Sequence, residues 1–163
     1  MAISKPDYPA LLQTLVQHGV DFIVVGGVCA VLHGAPVSTF DIDVVHSRDP
    51  DNLHRLISAL QDLDAYYRGR GGHRLTPQMT HLASKGHHLL MTRVGPLDVL
   101  GTIAIGHSYE DLLEHTVELE VSGFQVALLT LEKLIEIKAE TGLDKDKAML
   151  PILRRTLEER VKR

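Results

Sequence analysis

One cysteine, Cys29, in a chain of 163 residues rules out an intrachain disulfide and points to a reducing compartment, the cytoplasm. Long apolar runs are missing as well. The longest, residues 22–32, is interrupted by Gly26 and Gly27 and falls short of the ~20 residues that a membrane-spanning helix needs. The start, Met1-Ala2-Ile3-Ser4-Lys5-Pro6-Asp7, lacks an apolar stretch and a cleavage site, so no secretory leader is expected. Positive charge is not in excess. A net charge of -4 and a pI near 6.2 exclude a general nucleic-acid coat while leaving room for a local basic patch. There are no internal repeats and no low-complexity linkers. With 44% apolar and 23% charged residues, the chain has the composition of one ordinary globular domain over residues 1–163.

What is present alternates between two periods. Asp7 and Pro9 suit the cap and first turn of a helix to about His18, with Leu11, Leu12, Leu15 and Val16 on its buried face. Residues 20–25 form a β-branched run that reads as a buried strand. A helix opens directly after it, and residues 42–45 read as a second strand. Asp49, Pro50 and Asp51 cap an amphipathic helix carrying Leu53, Leu56, Ile57 and Leu60. Residues 65–78 are polar and glycine-rich, which predicts a loop or a loosely paired strand. Residues 88–93 and 97–100 predict a hairpin turning at Gly95-Pro96. Residues 118–121 and 124–128 predict another, turning at Ser122-Gly123. Thr130 opens a helix that ends at Gly142, and a last helix from Asp144 is expected to kink or restart at Pro151. The order predicts an α/β or α+β domain: a mixed sheet flanked by helices in a core over residues 8–128, with terminal helices over 130–160.

Asp41 and Asp43 flank one residue, so on a strand both carboxylates face the same way. Among Ile42, Val44 and Val45 they lose hydration and repel each other, a costly arrangement unless a cation neutralises it. Hard oxygen donors suit Mg²⁺. Asp98, in the apolar run 97–100, supplies a third carboxylate. If its strand lies beside the first, three carboxylates can hold two metal ions, one at an attacking hydroxyl and one at a triphosphate. Gly26-Gly27 stands between a strand and a helix, where glycine permits close approach of a phosphate to free backbone N–H groups. The same pair also serves as a tight turn. The third glycine of G-x-G-x-x-G and the Gly-Lys-Ser/Thr of a P-loop are both missing, which argues against those two nucleotide sites.

Taken together, Val25-Gly26-Gly27 followed by Leu32-His33-Gly34-Ala35-Pro36-Val37-Ser38-Thr39-Phe40-Asp41-Ile42-Asp43 resembles the signature of the polymerase-beta-like nucleotidyltransferases. The similarity is greatest to the small prokaryotic branch of minimal nucleotidyltransferases and abortive-infection-type toxin enzymes. Residues 131–138 and Lys145-Asp146 are similar to that branch's C-terminal helical motif, and the resemblance spans roughly residues 10–150. It implies a nucleotidyltransferase fold, Mg²⁺ on Asp41, Asp43 and Asp98, and nucleotide contacts at Gly26, Gly27, Thr39 and Lys138. The implied activity is transfer of an NMP group from an NTP, ATP among them, to a hydroxyl or phosphate of RNA, protein or a small molecule. A toxin–antitoxin-type protein partner is implied too. Val37 stands where the motif commonly has arginine, and Met149 where an acid often follows Lys-Asp. A second reading, a silent regulatory or antitoxin-type binding module of the same fold, is compatible with the Val37 departure but not with three retained carboxylates.

Between Asp64 and Asp98 there is no acidic residue, although acids number 21 in the chain. The interval carries Arg68, Arg70, Arg74, Lys85 and Arg93, four histidines, and Tyr66 and Tyr67. It is expected to rim the site, with Arg68, Arg70, Arg74 and also Lys145 gathering phosphates and a tyrosine available for stacking. A solvated basic face is the plainer alternative. The histidine spacings match no zinc motif, and His46 is expected at the surface or rim.

Overall fold

The computed structural model describes residues 6–162; residues 1–5, on which the expectation of no leader partly rests, lie outside it. In chain order the elements are α1 (Tyr8–Gln17), β1 (Phe22–Val25), α2 (Gly26–Leu32), β2 (Ile42–His46), α3 (Pro50–Asp62), β3 (Tyr66–Tyr67) and α4 (Met79–Leu82). There follow β4 (His87–Thr92), β5 (Gly95–Leu100), β6 (Thr102–Ile103), β7 (His107–Ser108), α5 (Tyr109–Leu112), β8 (Thr116–Val121), β9 (Phe124–Leu129), α6 (Leu131–Thr141) and α7 (Asp144–Val161). Seven strands form one sheet in the order β3-β4-β5-β2-β1-β9-β8, and β6 with β7 makes a small separate ladder. The sheet is mixed, as expected. β2 runs parallel to β5 and β1 parallel to β9, and the remaining pairs are antiparallel. Among the described residues no helix is long and apolar enough to cross a membrane.

Local chemistry sets most of the boundaries. Asp7 accepts from Ala10 N and Asp49 from Asp51 N, so α1 and α3 start on carboxylate caps. Leu11, Leu12 and Leu15 are fully buried on α1, each contributing about 2 kcal/mol by removal from water. Val16 is only half-buried. Ser122 and Gly123 both take positive φ, as the tight β8–β9 turn demands. The β4–β5 turn lies at residues 93–94, two residues before the expected Gly95-Pro96. Thr92 pairs with Gly95, and its hydroxyl donates to the Gly95 carbonyl at 2.6 Å. The 65–78 segment contributes only the two-residue β3, whose outer side is bonded by its own loop through Tyr67 N and Leu75 O. α7 runs through Pro151 instead of restarting there. The carbonyl that loses its donor belongs to Lys147, an exposed residue that water can reach.

His46 is not at the rim. It ends β2 wholly buried, with Nε2 bonded to the Leu82 carbonyl at 2.8 Å and Nδ1 without a partner. Residue 46 shares the sheet face of Ile42 and Val44, and β-strand alternation turns that face away from Asp43. Beside it lies His88, whose Nδ1 is 2.9 Å from the Tyr67 hydroxyl. Burial first, then the neighbouring His46, His81 and His87, pushes His88 down to about 4; burial likewise lowers His46. An unfolded chain takes up these protons near pH 6.5, whereas the folded chain does not. Stability is therefore present above pH 6.5 and lost as pH falls toward 4. Replacing His88 by glutamine should shrink the loss of unfolding free energy between pH 7.5 and pH 5 by about 2 kcal/mol relative to wild type. Urea melts at the two pH values check this, and an unchanged difference would refute it.

Candidate active site

The site forms where β1, β2 and β5 lie side by side. Asp43 is in register with Asp98 across the parallel β2–β5 pair and with Val25 across the β1–β2 pair. The expected juxtaposition of the two carboxylates is therefore a consequence of strand register. Asp41 immediately precedes β2, two residues from Asp43, and lines the same cleft of about 370 Å³. Gly27, Thr39, Phe40, Lys138, Lys145, Asp146 and Met149 also line it. A second, more apolar recess of about 180 Å³ shares Asp43, Lys138, Lys145 and Asp146 and reaches Gly26 and the β6–β7 ladder.

The glycine pair makes room for these groups. Gly26 has φ +68, and a Cβ there would collide with Oδ2 of Asp43. A Cβ on Gly27 would come within 2.6 Å of the Thr39 hydroxyl oxygen. Thr39 lines the cleft, but its hydroxyl donates to the Asp41 carbonyl at 3.2 Å, and its own carbonyl accepts from Tyr8 at 2.8 Å. Its hydroxyl thus braces the turn into β2. Val37, at the position where arginine is common, packs half-buried against the core.

Lys138, near the end of α6, is bonded to Asp146 at 2.9 Å, and Thr141 donates to the other oxygen of the same carboxylate. Gly142 ends α6 in the left-handed conformation, so α7 begins within two residues and places Asp146 one turn in, beside Lys138. Burial opposes ionisation of Asp146, but the bonds from Thr141 and Lys138 and the charges of Lys138 and Lys145 outweigh it and hold its pKa low.

The three arginines expected at the rim go to three different places. Arg68 reaches into the carboxylates: Nη2 lies 2.8 Å from Asp98 Oδ1 and 3.9 Å from Asp41 Oδ2, and Nη1 donates to the Leu90 carbonyl at 2.8 Å. Arg74 stacks 4.5 Å over the Tyr66 ring in a groove lined by residues of α3 and α4 that shares no residue with the carboxylate cleft. Arg70 is exposed and lines neither. The contact of Arg68 with Asp98 escaped the sequence, since thirty positions separate them. The acid-free interval between Asp64 and Asp98 was the signal for it.

Burial, followed by the adjoining Asp98 and then Asp41, pushes the Asp43 carboxyl up to about 7, against a smaller opposite pull from Lys138. Among the described residues Asp43 itself has no ion-pair partner, Arg68 facing Asp98 and Asp41 instead, and carboxylate oxygens are the donors that a hard divalent cation takes. The donor chemistry thus fits Mg²⁺. The arrangement is not metal-ready, however: among the described residues no three histidine, cysteine, aspartate or glutamate side chains converge as a ligand set. Arg68 faces both Asp41 and Asp98 in this arrangement.

Solved structures share this architecture. A Thermotoga maritima protein classed as a nucleotidyltransferase matches at a TM-score of 0.57 and 19% identity, over 92% of this chain and 89% of its own. The lincosamide antibiotic adenylyltransferase LnuA, with lincomycin bound, matches at a TM-score of 0.58 and 15% identity, over 89% of this chain and 92% of its own. No family profile and no curated protein matches the chain. The chain has the nucleotidyltransferase fold that these structures share.

Proposed function

We propose that the protein is a nucleotidyltransferase that moves an NMP group from an NTP to a hydroxyl or phosphate acceptor, releasing pyrophosphate. The observation that carries this reading is the register of Asp43 with Asp98, which opens two carboxylates onto the cleft that also holds Asp41, Gly27 and Lys138. Asp41, Asp43 and Asp98 are the residues that would hold Mg²⁺. When bound, the ion supplies charge to the phosphates and to the oxygen that attacks.

The side chains have distinct tasks in this reading. Gly26 and Gly27 keep a Cβ out of the space beside Asp43 and Thr39, where a triphosphate can approach the backbone. Lys138, set in place by Asp146, lies toward Asp43 closely enough to lower its pKa and presents an ammonium to the phosphates. Asp98, which Arg68 holds in the absence of nucleotide, receives the proton of the acceptor hydroxyl. Lys145 and Phe40 border the opening. The acceptor can be RNA, a protein or a small molecule; the lincosamide specificity named for LnuA is an instance of the last.

Calorimetric titration with non-hydrolysable analogues of all four NTPs tests the reading, comparing wild type with the Asp41→Ala/Asp43→Ala double variant. Binding is expected to require Mg²⁺ and to vanish in the variant. If folded wild type binds none of the four, a silent module of the same fold replaces the enzyme.

A further inference from the structure

Arg68 is the cation that the fold brings against the carboxylates. It directly follows β3, and its N–H bonds the Leu89 carbonyl at 3.0 Å, so the backbone stays in line with the β3–β4 ladder. From there the side chain crosses β4 to reach Asp98 on β5. Its hold on the sheet has two parts. Nη1 donates to Leu90 O, a neutral anchor independent of Asp98, while Nη2 is shared between Asp98 at 2.8 Å and Asp41 at 3.9 Å. Among the described residues Arg68 is the ion-pair partner of both aspartates, and the nearby Lys138 pairs with Asp146. The guanidinium carries a positive charge and presents its donors in a planar fork.

A divalent ion approaching Asp98 meets that fixed positive charge and an oxygen already accepting a short, charge-assisted bond. We propose that Arg68 is a latch on the carboxylate site: it holds Asp98 and faces Asp41, and a divalent cation engages Asp98 only when the guanidinium lets go. The proposal rests on the metal-dependent reading of this cleft. It adds that the cleft loads weakly with metal alone, so that loading is coupled to arrival of the nucleotide. The phosphates supply negative charge that can satisfy the guanidinium once it leaves Asp98.

Direct Mn²⁺ binding to the full chain, without nucleotide, tests this by calorimetry and by the electron paramagnetic resonance signal of free Mn²⁺. Arg68→Ala should bind Mn²⁺ about tenfold more tightly than wild type, and Arg68→Lys should fall between, since lysine keeps the charge but loses the planar fork. In an Asp98→Ala background the same Arg68→Ala change should have no effect. Circular dichroism melts of each variant establish that the fold is retained. Equal or weaker binding by Arg68→Ala overturns the latch, as does a gain that persists without Asp98. If wild type binds Mn²⁺, loses it on Asp41→Ala/Asp43→Ala and is unaffected at Arg68, only the latch falls. If wild type and Arg68→Ala both fail to bind, the metal-dependent reading falls with it.

Discussion

Replacing Asp43 by asparagine is expected to reduce nucleotidyl transfer by about a thousandfold and, in the absence of divalent cations, to make the protein more stable. The two effects share one cause. Asp43 is hemmed in by the sheet, by Asp98 in register on β5 and by Asp41 two residues before it. Its carboxyl is pushed up to about 7, first by burial and then by those neighbours. The folded state therefore favours the protonated form. The stability linked to that proton is complete below the ordinary carboxyl range near 3.8 and is lost as pH rises through 7. Asparagine keeps the shape without the charge. Its advantage should appear at pH 8 in EDTA and disappear at pH 4. Each kcal/mol corresponds to about 2–4 °C in Tm for a chain of this length, so several degrees are expected at pH 8. Thermal melts at both pH values, beside a pyrophosphate-release assay, check the two halves. A variant less stable than wild type at pH 8 would show that the carboxylate is satisfied as it stands, and retained activity would remove Asp43 from the chemistry.

Alanine at Gly26 should do the opposite to stability and the same to activity. The new Cβ faces two separate penalties. Its backbone would sit at φ +68, where an L side chain costs about 1–2 kcal/mol. It would also collide with Oδ2 of Asp43, forcing a shift that costs roughly another 1–3 kcal/mol. A total loss of about 2–5 kcal/mol follows from these principles, with Mg-NTP binding lost because Asp43 is displaced. Gly34→Ala isolates the first penalty: φ is +94 there and nothing lies within 4 Å of the added carbon. In an Asp43→Ala background the collision partner is gone, so Gly26→Ala should cost only the backbone part, a double-mutant cycle read by urea unfolding. Equal costs in both backgrounds would show that the close packing of Gly26 on Asp43 does not matter.

The elements that were legible in the sequence are those whose signal is local. Caps at Asp7, Asp49 and Thr130, the Ser122-Gly123 turn and the left-handed stop at Gly142 each depend on a few adjacent residues, and the structure has them where expected. The displaced turn at residues 93–94 and the unbroken α7 show the limit of such signals. Gly95-Pro96 and Pro151 are strong local markers, but strand pairing through Thr92 and an exposed carbonyl at Lys147 decided the outcome. His46 shows the same limit from another side: a histidine at a strand end reads as polar, and its burial follows from α4 packing over that face.

By itself, then, the sequence determined the mixed α/β character, the strand that carries Asp43 and the glycine pair before α2, because dihedral preference and side-chain alternation are properties of neighbouring residues. Only the tertiary structure decided that Asp98 stands beside Asp43, that Asp146 takes Lys138, and that Arg68 crosses a strand to hold Asp98 while Arg70 and Arg74 do not. Register between distant strands and the reach of one long side chain are set by how the whole sheet packs, and no local pattern encodes them.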